Sequence, residues 1–121
     1  MTIDLDELDP LVYSIFNEHG LMIPPGESLR FTATGNPTTG FDWYLREDLL
    51  GDNIVVASDY YEDAREDGME DWTGIGGTYY WTLSAAEGAN TGDQGTFRIE
   101  YYRDWEPDLV DIAYEFPIHI A

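Results

Sequence analysis

From Glu27 onward apolar and polar residues alternate in one segment after another. That period of two constrains the fold more than any other feature of the chain. Successive side chains of an extended strand point to opposite faces, so alternation marks strands with one buried face. Leu29, Phe31 and Ala33 alternate with Ser28, Arg30, Thr32 and Thr34, and Phe41, Trp43 and Leu45 alternate with Asp42, Tyr44 and Arg46. The same pattern runs through Tyr79, Trp81 and Leu83, through Phe97, Ile99 and Tyr101, and through Ile112, Tyr114, Phe116, Ile118 and Ile120. Ile54 to Ala57 is a shorter, β-branched run. Turn residues separate these runs at Pro24-Pro25-Gly26, Gly35-Asn36-Pro37, Gly51-Asp52-Asn53, Gly74 to Gly77 and Gly88 to Asp93. Short strands with regular breaks predict an all-β, antiparallel sandwich.

The N-terminal stretch breaks the pattern. Apolar residues at 5, 8, 11, 12, 15 and 16 suggest a helix, but Pro10 lies inside it. The expectation is a short turn of helix or an irregular acidic arm over residues 1–17, followed by a single β-sandwich domain over 18–121. A chain of 121 residues suits one domain with a real core. Between Asp59 and Trp72 the acids come in pairs four apart, Glu62-Asp63, Glu66-Asp67 and Glu70-Asp71. Stacked like charges oppose a helix there and predict a solvated loop. The alternative, a calcium site, lacks the alternating ligand pattern of a calcium loop.

Five basic and 25 acidic residues give a net charge of −20, and every basic residue is an arginine (30, 46, 65, 98 and 103). A field of that sign repels nucleic acid and anionic membranes, which excludes both as partners, and self-repulsion predicts a monomer. It also suggests adaptation to salt, where the screening length falls to about 3 Å near 1 M. There is no cysteine, hence no disulfide and no thiolate. No run approaches the roughly 20 apolar residues of a membrane helix. Met1 to Pro10 is acidic where a signal peptide is basic and then apolar. A soluble protein is expected, cytoplasmic or secreted after loss of a leader.

Catalytic chemistry finds little support. The two histidines, His19 and His119, stand at opposite ends of the chain and read as surface residues, and 25 acids make accidental carboxylate pairs uninformative. No catalytic residue, metal ligand or cofactor is assigned.

Three loops stand out instead. Asn36-Pro37-Thr38-Thr39-Gly40-Phe41 runs straight into the strand containing Trp43. Pro37 fixes its own φ and restricts Asn36, while the flanking Gly35 and Gly40 permit turns closed to other residues, so the loop should be stiff. Gly74-Ile75-Gly76-Gly77 precedes the aromatic strand from Tyr79, without the helix and lysine of a phosphate-binding loop. Arg103-Asp104-Trp105 ends the strand containing Tyr101. Each alone can be an ordinary turn.

Together, and in this order, they resemble the inhibitory loops of the chagasin family of cysteine protease inhibitors. The likeness spans roughly Glu27 to Ile120, and the first loop with Phe41-x-Trp43 carries its most specific part. Asp104 stands where the family usually has proline, so the third loop keeps Arg103 and Trp105 but lacks the φ lock. The resemblance implies an immunoglobulin-like antiparallel β-sandwich of about seven or eight strands with the loops at one end. It further implies a reversible, non-covalent, tight-binding inhibitor, not an enzyme, whose partner is a papain-like cysteine protease. Asn36, Pro37, Thr38, Thr39, Gly40 and Phe41 would enter the cleft, with Thr38 and Thr39 set against the catalytic pair. Gly74, Ile75, Gly76 and Gly77 would offer backbone on one side, and Arg103, Asp104 and Trp105 would close the other. The rivals are a carbohydrate-binding sandwich using Tyr44, Tyr80 and Tyr102 as a stacking platform, an adhesive module, and a carboxylate hydrolase.

Overall fold

The structure, a computed structural model, describes residues 1–36, 39–63 and 76–121. Where the alternation is strong the strands form as the sequence predicts: β3 (Ser28–Gly35), β4 (Phe41–Leu45), β6 (Gly77–Ala85), β7 (Gln94–Arg103) and β8 (Ile112–Ile120). With β1 (Thr2–Asp4), β2 (Leu21–Ile23) and β5 (Ile54–Asp63) they build two four-stranded sheets, ordered β1-β3-β6-β5 and β2-β8-β7-β4. The inward set of each strand meets the other sheet. Phe31 stacks on Phe97 at 3.9 Å between ring centroids, Phe97 stacks on Phe116 at 6.4 Å, and Trp81 meets Phe97 edge-on. Leu29, Phe31, Leu83, Phe97, Ile99, Phe116 and Ile118 are fully buried, and among the described residues no polar or charged side chain is buried. Packing of this kind replaces the missing disulfides, and truncating Trp81 to alanine is worth about 3–5 kcal/mol.

Two elements differ from the sequence expectation. Pro10 starts a helix instead of interrupting one: α1 runs Pro10–His19, Asp9 caps it by accepting from the Leu11 N–H at 2.7 Å, and Gly20 (φ +82°) ends it. Proline is well suited to the first helical position, where its missing N–H has no partner to lose. Tyr13 and Phe16 lay the helix on Phe116, with Tyr13 also against Tyr114. The segment before it is also built into the sandwich, for β1 pairs with β3 and Leu5 is 1% exposed. Both N-terminal strands, β1 on β3 and β2 on β8, pair in parallel, so the sandwich is not purely antiparallel. The helix supplies the long connection that carries the chain from one sheet to the other.

The second difference is β5, which extends through Asp63 where a loop is expected from Asp59. A bulge between Val56 and Ser58 breaks the alternation and hides the strand from a period-two reading. Beyond it, Tyr60 stacks on Tyr80 and Tyr61 lies against Tyr79, each at 4.7 Å, and cross-strand aromatic pairs of this kind stabilise the edge. The remainder of the acidic stretch, with the calcium alternative, lies outside the described residues.

Candidate functional site at one end of the sandwich

Strand register decides where the three loops go. Gly35, the last residue of β3, pairs with Gly77, the first of β6. In the other sheet Phe41, the first residue of β4, pairs with Arg103, the last of β7. The chain therefore leaves β3, enters β4, enters β6 and leaves β7 at the same end of the molecule. Asn36, Thr39, Gly40, Phe41, Gly76, Gly77, Arg103, Asp104 and Trp105 come together there; Pro37, Thr38, Gly74 and Ile75 lie outside the described residues.

The first loop is closed by its own hydrogen bonds. The Asn36 carbonyl accepts from the Thr39 N–H at 3.1 Å and from the Thr39 hydroxyl at 2.7 Å. The Phe41 N–H donates back to the Thr39 hydroxyl oxygen at 3.4 Å, and the Asn36 N–H donates to the Tyr101 hydroxyl at 3.4 Å. Thr39 thus spends its proton inside the loop, as serine and threonine do in tight turns. Its hydroxyl holds loop shape and has no proton left to offer a partner.

Gly40 makes the link between the first and third loops. Its φ is +88°, and a Cβ there would collide with the indole of Trp105. Glycine is required both for the turn and for the ring that covers it. The Arg103 guanidinium lies 4.3 Å from the centroid of Phe41 and 5.8 Å from that of Trp105, within cation–π range of both. Phe41 stacks on Tyr101 at 5.2 Å, and Tyr101 tilts against Trp43 at 4.7 Å, so the column continues into the core. Arg103 also pairs with Glu106 at 3.6 Å, while its Nε, shielded from solvent, has no acceptor among the described residues.

Asp104 and Trp105 are the central residues of a turn closed by the Glu106 N–H on the Arg103 carbonyl at 2.9 Å. Among the described residues no residue other than glycine has positive φ, so the turn is not of type I′, II or II′. Both central residues keep a negative φ, the sign that proline fixes. Trp105 remains 64% exposed.

In the second loop the glycines are needed for space. A Cβ on Gly76 would sit 2.7 Å from the Gly35 carbonyl oxygen, and one on Gly77 would collide with the Glu62 carbonyl. Both residues are wedged between neighbouring backbones at the mouth of the sheet. The first and second loops face each other across a cleft of about 600 Å³ lined by Gly35, Asn36, Gly76, Gly77, Tyr101 and, from the N-terminal segment, Asp6.

Sequence reasoning missed three contributors, a pair of neighbours and a single acid. Leu109 and Val110, 64% and 37% exposed, line a second cleft of about 330 Å³ with Phe41 and Arg103. Two apolar residues side by side in an acidic stretch after Pro107 were the available signal. Asp6 was the third, and no pattern in the sequence marks it. The proposed tyrosine platform does not form: Tyr44 stacks on Tyr102 at 4.4 Å in one sheet, whereas Tyr80 belongs to the other sheet and stacks on Tyr60. The two histidines lie away from the loops, with the His119 ring beside Gly20, the residue after His19. Among the described residues no three His, Asp or Glu side chains are placed to hold a metal, and no helix is long and apolar enough to cross a membrane.

Comparison with known proteins agrees with this geometry. A curated relative, Amoebiasin-1 of Entamoeba histolytica, is 28% identical over 104 residues, covering 86% of this chain and 92% of its own. The crystal structure of the cysteine protease inhibitor EhICP2 from Entamoeba histolytica superposes with a TM-score of 0.65 at 14% identity, over 99% of this chain and 94% of that one. The solution structure of Amebosin gives 0.55 at 23% identity over 99% and 94%. PbICP-C, solved in complex with falcipain-2, gives 0.50 at 12% identity over 99% and 97%. At such identities the structural likeness shows the β-sandwich fold. The model of the Chagasin family peptidase inhibitor I42 matches residues 23–120, and the chain therefore belongs to the chagasin family of peptidase inhibitors.

Proposed function

We propose that this protein is a reversible, non-covalent, tight-binding inhibitor of papain-like cysteine proteases that occludes the active-site cleft with residues 36–41, 74–77 and 103–105. Family membership makes it a peptidase inhibitor and not an enzyme. The observation that carries the proposal is the strand register, which pairs Gly35 with Gly77 and Phe41 with Arg103 and so brings the described residues of these segments to one end. The likeness to EhICP2, a cysteine protease inhibitor, supports the choice of target class.

The wedge works by preorganisation. Loops already closed by internal hydrogen bonds and ring contacts lose little freedom on docking. The first loop enters the cleft as a tip held by Thr39 and braced by Trp105 on Gly40. The Gly76–Gly77 backbone, without side chains, can approach a partner backbone closely enough to exchange main-chain hydrogen bonds. On the other side Trp105 and Leu109 supply the apolar contact and Arg103 a charge for the rim, a mixture typical of energetic hot spots. No bond to the protease is made or broken.

The test is to titrate papain and a serine protease with the protein at low and at molar salt. Inhibition of papain alone is expected. Against a protease that is itself acidic, the charge of −20 makes binding tighten as salt screens the repulsion, whereas against a basic protease salt weakens it. No inhibition of papain at either salt would refute the proposal.

A further inference from the structure

We infer that Asp6, in the segment ahead of the family-matching residues, is a positioning residue for the first inhibitory loop; the inference rests on the proposed function. At one edge of β3 the N-terminal segment runs alongside as β1. The pairing stops at Asp4 opposite Thr32. Residues 30, 32 and 34 turn their main-chain groups toward that edge, since direction alternates along a strand. The Arg30 N–H donates to the Met1 carbonyl at 2.9 Å, but beyond Asp4 the N-terminal segment turns away into a 3₁₀ turn over Leu5–Glu7. Among the described residues Thr34 therefore has no backbone partner on that side.

Two side chains take its place. The Asp6 carboxylate accepts the Thr34 N–H at 2.9 Å, and the Trp43 indole donates to the Thr34 carbonyl, also at 2.9 Å. Thr34 is held at both main-chain groups, by elements that come from different parts of the chain. It stands two residues before Asn36, whose carbonyl closes the first loop, and next to Gly35, which pairs with Gly77 of the second. The clamp fixes the root from which the first loop springs, on the wall of the cleft it shares with the second.

Asp6 is itself held. Leu5 beside it is 1% exposed and anchors the turn in the core, and the Asp4 carboxylate accepts the Asp6 N–H at 3.1 Å. Asp6 lies on the surface, so altering it leaves the core intact. Its contribution is the direction of a loop, which a static anchor such as Leu5 cannot supply alone.

The experiment compares papain inhibition by the parent, Asp6→Ala, Asp6→Asn and Trp105→Ala, with hydrogen exchange at the Thr34 amide and thermal unfolding of each. Asp6→Ala should raise the inhibition constant about fivefold, the scale of one lost hydrogen bond, and speed exchange at Thr34. Asp6→Asn keeps an acceptor oxygen and should stay within about twofold of the parent, since the bond and not the charge does the positioning. Inhibition by Asp6→Ala within about twofold of the parent, with Thr34 exchange accelerated, overturns the inference and leaves Asp6 a structural bond only. Equal losses in Asn and Ala also overturn it, because charge would then act on the protease directly. A parent that fails to inhibit, or Trp105→Ala without effect, refutes the proposed site itself, which separates that failure from the failure of Asp6.

Discussion

Trp105→Ala is the sharpest test of the proposed interface, because the structure sets both its size and its control. A tryptophan presents up to about 250 Å², so the 64% left exposed in the free protein is about 160 Å², worth about 4 kcal/mol if a partner covered all of it at about 25 cal/mol/Å². Incomplete cover and the area an alanine retains lower the expectation to about 2–3 kcal/mol, or about 30- to 150-fold in the inhibition constant. Part of that loss arises before docking. The indole lies on Gly40, so removing it also frees the turn of the first loop. Stability should change little, by less than about 1 kcal/mol, because the ring is mostly exposed. The assay is the inhibition constant against papain, measured beside urea unfolding of the same variant. A constant within about twofold of the parent, with folding intact, would refute Trp105 as the anchor. Trp105→Phe, which keeps part of the apolar face, should fall between the two.

Gly40→Ala imposes a side chain at φ +88° and drives it into the same indole; it should cost about 1–2 kcal/mol of stability, shift tryptophan fluorescence and weaken inhibition. Asp104→Pro restores the φ lock at a turn position whose φ is already negative; it should stabilise the fold by about 0.4–1 kcal/mol and tighten inhibition by about two- to fivefold, and a weaker inhibitor would show that the Asp104 N–H or carboxylate is needed. Alkaline pH should destabilise the protein through Tyr79, whose hydroxyl is raised above its ordinary 10.0 by burial first and then by its hydrogen bond to Asp42. The unfolded chain then loses that proton before the folded one, so the stabilisation is complete below about pH 10 and declines as pH rises further; urea unfolding from about pH 8 to about pH 11 should show the fall, and Tyr79→Phe should flatten it.

The sandwich was legible from the strands alone. Alternation in β3, β4, β6, β7 and β8 records a one-sided burial that every residue of a strand must obey, so the signal repeats along the chain and survives local exceptions. It was lost where the local rule was broken. A bulge shifted the phase in β5, and the parallel strands β1 and β2 are three residues each, too short to show a period. Pro10 misled because the same residue that breaks a helix inside it is favoured at its first position, and only Asp9 as the cap distinguishes the two.

The site was legible as residue types and order but not as contacts. Asn36 to Phe41, Gly74 to Gly77 and Arg103 to Trp105 are short, chemically unusual strings, and their order along the chain is a sequence property. That Gly35 meets Gly77 and Phe41 meets Arg103 is a matter of register, fixed by the packing of all the strands at once. The indole of Trp105 on Gly40, the guanidinium of Arg103 over Phe41 and the carboxylate of Asp6 on the Thr34 N–H join residues 28 to 65 positions apart. Such contacts leave no local pattern, because each residue alone satisfies its own secondary structure with many neighbours. Only the tertiary fold selects which neighbour it meets.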